Sequence, residues 1–349
     1  MPSPLGAGVR LLHALFSLFG PHSHTAPWGA ASVAAYAPAP GMAQHAPARM
    51  DAARHRPAAR SFREAESGSD AHAVRVPYRS VAHHVWLRAR IDGAPPAWFV
   101  LDTGAGVTVL DRHYAARLGI SPRERMAVVG MGGQARGARA RVRQLVIGAR
   151  DGLALGSQDV TLLDLSPLDP ALGGRAAGLI GFDVLRRFVV TVDPARHELR
   201  FAPPSGPARL AANELPMEVA GGVPLVQASI AGSPGTFLLD TGDGFELNLS
   251  PDLMERCERD GGERSSVPAG SISGWSLAKL VRVDELALGE WRVRGAWAAL
   301  WPTPFTDSGG RPLTGIVGNA VLERYVCTFD AHRGAVRLVP ARRGGRGAL

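Results

Sequence analysis

Two stretches of this 349-residue chain run an apolar strand into a carboxylate. Trp98-Phe99-Val100-Leu101 leads into Asp102-Thr103-Gly104-Ala105-Gly106, and Thr236-Phe237-Leu238-Leu239 leads into Asp240-Thr241-Gly242-Asp243-Gly244. The strand carries the backbone inward to the Asp; glycine then permits a sharp turn and leaves room for another backbone or a substrate. The Thr can hydrogen-bond locally or across to a symmetry-related partner. One such Asp is an ordinary turn residue. Two, at the same point of a repeat, can face each other across a pseudo-twofold axis. Carboxyls about 3 Å apart cannot both ionise cheaply, so they share a proton and titrate as a pair. The ionised member takes a proton from a water held between them, while the protonated member donates to a carbonyl oxygen. General base and general acid are then supplied together for water attack on an amide, with no metal, cofactor or covalent intermediate.

The elements that must position these residues are repeated as well. Gly178-Leu179-Ile180-Gly181-Phe182-Asp183-Val184-Leu185 recurs as Gly315-Ile316-Val317-Gly318-Asn319-Ala320-Val321-Leu322. The spacing from Asp102 to Asp240 is 138 positions (240 − 102), and from Gly181 to Gly318 it is 137 (318 − 181). Two blocks in the same order at almost one offset mean two copies of a domain of roughly 130 residues. The second block, two apolar residues and a glycine, is placed to pack beneath the turn. From Val74 onward, short β-type runs are separated by Gly, Pro, Asp and Asn, which predicts an all-β fold with short helices. Residues 85–91 alternate and turn at Asp92-Gly93, a hairpin signal. A helix is expected at 111–118, closed by Gly119. The expected organisation is a leader over 1–72, one lobe over 74–202, a Pro/Gly-rich linker over 203–215, a second lobe over 216–340, and a disordered tail over 341–349.

Composition narrows the function classes. Two cysteines exclude a disulfide-built scaffold, and neither has a partner at metal spacing. No run of 18 apolar residues exists, so no internal membrane span is expected. The formal charge of +8 is spread among interspersed acids and the termini, a solvated basic surface rather than a nucleic-acid footprint. Trp275, Trp291, Trp297 and Trp301 crowd the second half, but no basic stripe interleaves with them, so they read as core or cleft wall. In the leader, Arg10 and the apolar run 11–19 precede small residues, which resembles a secretory signal peptide. Export would make the protein periplasmic or secreted; otherwise it is cytoplasmic.

Asp-Thr-Gly-Ala after an apolar strand, followed later by apolar-apolar-Gly, resembles the aspartic protease superfamily. Each half, including Ile180-Gly181-Phe182-Asp183-Val184-Leu185-Arg186-Arg187-Phe188, is similar in style to bacterial retropepsin-like proteases. Two halves in one chain resemble the bilobal, pepsin-like arrangement. The resemblance covers residues 74–340 and implies two β-barrel-like lobes flanking a substrate cleft. It further implies an aspartic endopeptidase acting on peptide or protein substrates as a monomer. Asp102 and Asp240 would be the catalytic pair, Thr103 and Thr241 would make cross-lobe hydrogen bonds, and Gly104 and Gly242 would sit in the turns. A hairpin flap is implied over the cleft, with Gly130, Met131, Gly132 and Gly133 at its tip. The region 270–275 is its equivalent in the second lobe.

Two departures bear on the second lobe. Asp243 stands where the first lobe has Ala105, and 245–249 aligns with 107–110 only with one extra residue, which predicts a bulge. A third carboxylate near the pair would raise a pKa, or point to solvent. These departures keep open a non-catalytic peptide-binding protein that retains the fold. Ala105 lacks a hydroxyl to stabilise an ionised Asp, which favours a mildly acidic to neutral optimum. Asp193 and Asp330 read as turn residues, Asp183 as a helix-start residue, and His83-His84 as structural or incidental. Cys327 reads as a buried small hydrophobe, and pairing with Cys257 stays open if the protein is exported.

Overall fold

A computed structural model describes residues 72–341 except 131–132, 150–151, 205, 207–208, 212, 254–264, 273 and 308–309, together with 10–11 and 49–52. The signal-like run (beyond Arg10–Leu11), Met131, Gly132, Cys257 and the tail from residue 342 therefore lie outside the described residues. Strand is the dominant element, and the fold is all-β and two-lobed.

The first half comprises β1 (Val74–Val81), β2 (His84–Ile91), β3 (Ala97–Leu101), β4 (Val109–Asp111), α1 (Arg112–Arg117), β5 (Glu124–Gly130), β6 (Gly133–Val142), β7 (Leu145–Ile147), β8 (Leu153–Leu155), β9 (Gln158–Leu163), β10 (Gly178–Ile180), α2 (Phe182–Leu185), β11 (Val189–Asp193) and β12 (Glu198–Ala202). The predicted hairpin forms between β2 and β3, with Asp92 and Gly93 both at positive φ. The predicted helix is α1. Asp111 caps it by accepting from the His113 and Tyr114 amides, and Gly119 at φ +69° ends it.

The second half comprises β13 (Glu214–Ala220), β14 (Val223–Ile230), β15 (Ser233–Asp240), β16 (Leu247–Leu249), β17 (Ser265–Ser271), β18 (Gly274–Leu288), β19 (Trp291–Leu300), β20 (Gly315–Gly318), α3 (Asn319–Leu322), β21 (Tyr325–Asp330) and β22 (Ala335–Pro340). Strands β14, β15, β20, β16, β19 and β18 pair in that order and β18 returns to β14, closing a six-stranded barrel. The first half follows the same order with one difference. Long strand β18 has two counterparts there, β6 and β7, and long strand β19 also has two, β9 and β8.

In both halves the carboxylate turn joins two strands that flank a third. β3 runs parallel to β10 while β4 runs antiparallel to it, so 102–108 loops around the end of β10. β15, β20 and β16 repeat the arrangement. The threaded strand ends in glycine because nothing larger fits. A Cβ at Gly181 would lie 2.4 Å from the Val107 carbonyl carbon, and one at Gly318 would lie 2.2 Å from the Phe245 oxygen. The repeated glycine thus packs beneath the turn, as its spacing predicts.

A six-stranded sheet, β1-β12-β11-β21-β22-β13, joins the halves. At its centre Thr191 and Thr328 face each other with hydroxyls 3.0 Å apart, marking the pseudo-twofold axis. The largest apolar cluster continues through this seam, from Leu87 and Phe99 to Leu239 and Val317, so the halves share a core. Cys327, on β21, is a buried free thiol that donates to the Leu322 carbonyl. Among the described residues, no helix is long and apolar enough to cross a membrane.

Candidate active site

Asp102 follows the end of β3 and Asp240 is the last residue of β15. Both carboxyl groups are fully buried at the seam. The threonines that follow them lock the two turns together reciprocally. Thr103 Oγ1 donates to the Leu239 carbonyl (2.7 Å) and accepts from the Thr241 amide (2.9 Å). Thr241 Oγ1 donates to the Leu101 carbonyl (2.9 Å) and accepts from the Thr103 amide (3.1 Å). Each hydroxyl thus satisfies one donor and one acceptor of the opposite lobe, which leaves those groups paired out of reach of water.

The glycines bring the carboxyls together. A Cβ on Gly104 would lie 2.2 Å from Asp240 Oδ2, and a Cβ on Gly242 would lie 2.4 Å from Asp102 Cγ. Each turn is therefore the floor on which the other lobe's carboxyl rests. Asp240 Oδ1 accepts from the Gly242 amide at 2.8 Å and, across the seam, from the Gly104 amide at 3.2 Å. Asp102 Oδ1 accepts from the Ala105 amide at 2.8 Å. The two carboxyls are close enough to shift each other's titration, and neither Oδ2 has a protein hydrogen-bond partner among the described residues.

Burial and, for Asp102, the neighbouring Asp240 charge push both carboxyls above the ordinary range. Backbone amides of Gly242, Gly104 and Asp243 offset part of the effect at Asp240. With both carboxyls raised and buried side by side, the two titrate as a pair that shares a proton.

Asp243 does not point to solvent. It is fully buried; Oδ1 accepts from the Phe245 amide at 2.9 Å and Oδ2 accepts from Asn248 Nδ2. Asn248 Oδ1 in turn accepts from Trp301 Nε1 at 2.7 Å. Burial first, then the Asp240 charge, raises the Asp243 carboxyl as well. The expected extra residue is present. Leu110 pairs with Gly178, and Leu249 pairs with the equivalent Gly315, yet Leu249 stands one position further from its Asp. The addition falls in the turn before β16, rather than as a bulge inside a strand.

Two predicted hairpins border the site. The first, β5–β6, closes at the Gly130–Gly133 pair, with Gly133 at φ +128°. Its tip residues Met131 and Gly132 lie outside the described residues. The second, β17–β18, reaches across the cleft. Ser271 and Ile272 at its tip are buried, and Ile272 belongs to the first lobe's cleft-side apolar cluster with Trp86, Ala105, Val107, Val128 and Leu168.

His84, expected to be structural or incidental, is fully buried and packs on Gly244 of the second lobe. A Cβ on Gly244 would lie 2.6 Å from its Cε1. Its neighbour His83 is held by Glu323, Nδ1 to Oε1 at 2.7 Å, a partner no local spacing could reveal. Asp183, Asp193 and Asp330 take local roles: Asp183 sits in the first turn of α2 and accepts from Thr108, while Asp193 and Asp330 accept turn amides. Trp301, read as core or cleft wall, is buried, and Ile272 lies in the 270–275 hairpin. The role of Asn248 and the partners of all three went unread, because those partners are distant in the chain. Among the described residues, no three His, Cys, Asp or Glu side chains converge as a metal site.

A family model described as aspartyl protease matches residues 87–184 and 226–321, together more than half of the chain, with one Asp-Thr-Gly turn in each region. No curated protein matches the chain.

Proposed function

The chain belongs to the aspartyl protease family, and from that premise we propose that it is an endopeptidase whose working pair is Asp102 and Asp240. The observation that carries this reading is the reciprocal seat of each carboxyl on the other lobe's glycine turn. A water between the two Oδ2 atoms would donate a proton to Asp240 as its oxygen attacks the scissile carbonyl carbon. Asp102 would donate its proton to the carbonyl oxygen, giving a tetrahedral diol. Collapse returns a diol proton to Asp102 and passes the Asp240 proton to the amide nitrogen as the C–N bond breaks. General acid and base catalysis of this kind contributes about 10²–10⁴-fold, and positioning of the peptide supplies the rest.

One chain contributes both carboxyls, so the reading is of a monomer acting on peptide or protein. Because burial raises both carboxyls and Ala105 offers no hydroxyl, the optimum is expected at mildly acidic to neutral pH. The tip of the β17–β18 hairpin packs through Ile272 on the first-lobe cluster that includes Ala105, and on this reading it would serve as a flap over the bound peptide. The test is hydrolysis of an unfolded protein across pH 3–8, with and without a pepstatin-type inhibitor. Cleavage that is lost in both Asp102→Asn and Asp240→Asn supports the endopeptidase. Binding of peptide without cleavage at any pH supports the non-catalytic alternative.

A further inference from the structure

The turn that carries Asp240 is held from the opposite lobe by a side chain with no counterpart in the other half. In the β1–β2 hairpin His84 pairs with Val81, and in the β13–β14 hairpin Val223 pairs with Ala220, so His84 occupies the position of Val223. Val223 lies in an apolar cluster, as expected of a buried position. His84 is equally buried but carries two polar nitrogens. They approach the Val81, Ala82 and Gly242 carbonyls without forming a well-directed hydrogen bond to any. Burial pushes its pKa down to about 4, so the ring is neutral near pH 7. A buried polar ring without a well-directed partner is destabilising, and the second lobe demonstrates that an aliphatic residue can fill this position.

What the ring touches gives the cost a purpose. It lies on Gly244, with Nε2 3.1 Å and Cε1 2.6 Å from where a Cβ would stand, while Asp102 occupies the corresponding space over Gly242. The segment 242–244 is therefore clamped between a first-lobe carboxyl and a first-lobe imidazole. Its Gly242 amide is the 2.8 Å donor to Asp240 Oδ1. In the corresponding first-lobe turn Asp240 lies over Gly104 and the Gly222 site faces the Gly106 backbone, as the Ala82 carbonyl also faces Gly244. The imidazole is the contact that the first-lobe turn lacks, Val223 standing in its place.

We propose that His84 is a positioning residue for Asp240, its ring fixing segment 242–244 so that the Gly242 amide stays aimed at the carboxylate. The kinetic consequence rests on the endopeptidase reading; the structural claim does not. The test compares His84→Val, which copies the second lobe, with His84→Gln, which keeps a planar polar group. Residue-resolved amide exchange at Gly242 and Phe245 is expected to quicken at least about tenfold in His84→Val, with Gly104 and Ala105 unchanged. His84→Gln should fall between wild type and His84→Val, and it carries the same test if the valine variant does not fold. In peptide hydrolysis, kcat is expected to fall about ten- to a hundredfold with KM unaltered. Equal quickening in both turns, or none in either, would overturn the proposal. Wild-type protein that cleaves nothing would sink the endopeptidase reading and leave the exchange result to decide on His84. Active wild type matched by His84→Val in kcat and exchange would sink His84 alone.

Discussion

In the first lobe, Ala105 follows Asp-Thr-Gly and joins an apolar cluster. In the second, Asp243 takes that place and is answered by the Asn248 amide, itself anchored by Trp301. By strand register, the counterpart of Asn248 is Val109: they pair with Ile316 and Leu179, which are equivalent. The second lobe therefore carries a polar pair, Asp243 with Asn248, where the first carries an apolar pair, Ala105 with Val109. The comparison teaches that duplication fixed the backbone plan, meaning the turn, the threaded glycine and the threonine lock, and left the surroundings free to diverge. Divergence also gives two carboxylates of one motif different surroundings, since burial, charge and donors act on each separately.

The comparison can be broken first at the carboxyls. Asp102→Asn and Asp240→Asn are each expected to lower hydrolysis by about 10³-fold or more; appreciable activity in either variant would mean that the lobes do not work as a pair. Next come the glycine floors. Gly104→Ala and Gly242→Ala each drive a methyl into the opposite carboxyl. Both should lose activity to a similar degree, and a large inequality would show one turn to be pliable.

Thermal unfolding against pH gives a smaller effect of defined sign. A carboxyl raised by folding binds protons that the unfolded chain releases, so its contribution is complete at acid pH and declines as pH rises toward the folded value. His84, lowered to about 4, behaves oppositely: its contribution is complete above its unfolded value of about 6.5 and is lost as pH falls toward 4. Asp102→Asn is therefore expected to melt several degrees above wild type at neutral pH, with the advantage vanishing near about pH 3.5. An advantage that persists at acid pH would contradict the raised carboxyls.

Exchanging the diverged residue sharpens the contrast further. Asp243→Ala strands the buried Asn248 amide and should cost about 1–3 kcal/mol by denaturant unfolding. The reciprocal Ala105→Asp should cost more, because Val109 offers the new carboxyl no amide. The smallest effect lies in the hairpin turns beside His84. Ala82 and His83 hold φ of +48° and +62°, where the second lobe has Gly221 and Gly222. Ala82→Gly should thus stabilise by about 1 kcal/mol, and Gly221→Ala should do the reverse.

Much of this was legible from local pattern. The strands leading to Asp102 and Asp240, the hairpin at Asp92-Gly93, the short helix closed by Gly119 and the extra residue before Leu249 all follow from neighbours in the chain, where steric and hydrogen-bonding preferences act directly. The burial of Asp243 against Asn248 was partly legible: the odd carboxylate stood out, but solvent and core were equal alternatives without a partner in view. The seat of His84 on Gly244, the packing of Ile272 on the first lobe and the Glu323 bond to His83 left no local trace, because each depends on a residue of the opposite lobe.

By itself, the sequence determined that the chain is two copies of one β-rich unit, each ending an apolar strand in Asp-Thr-Gly, since repetition and alternation are properties of residue order. Only the tertiary structure decided that the two turns interlock, that each glycine seats the other lobe's carboxyl, and that an imidazole and a hairpin tip cross the seam. Those outcomes depend on distances between atoms far apart in the chain, which are set when both lobes close on a shared core and water leaves the space between them.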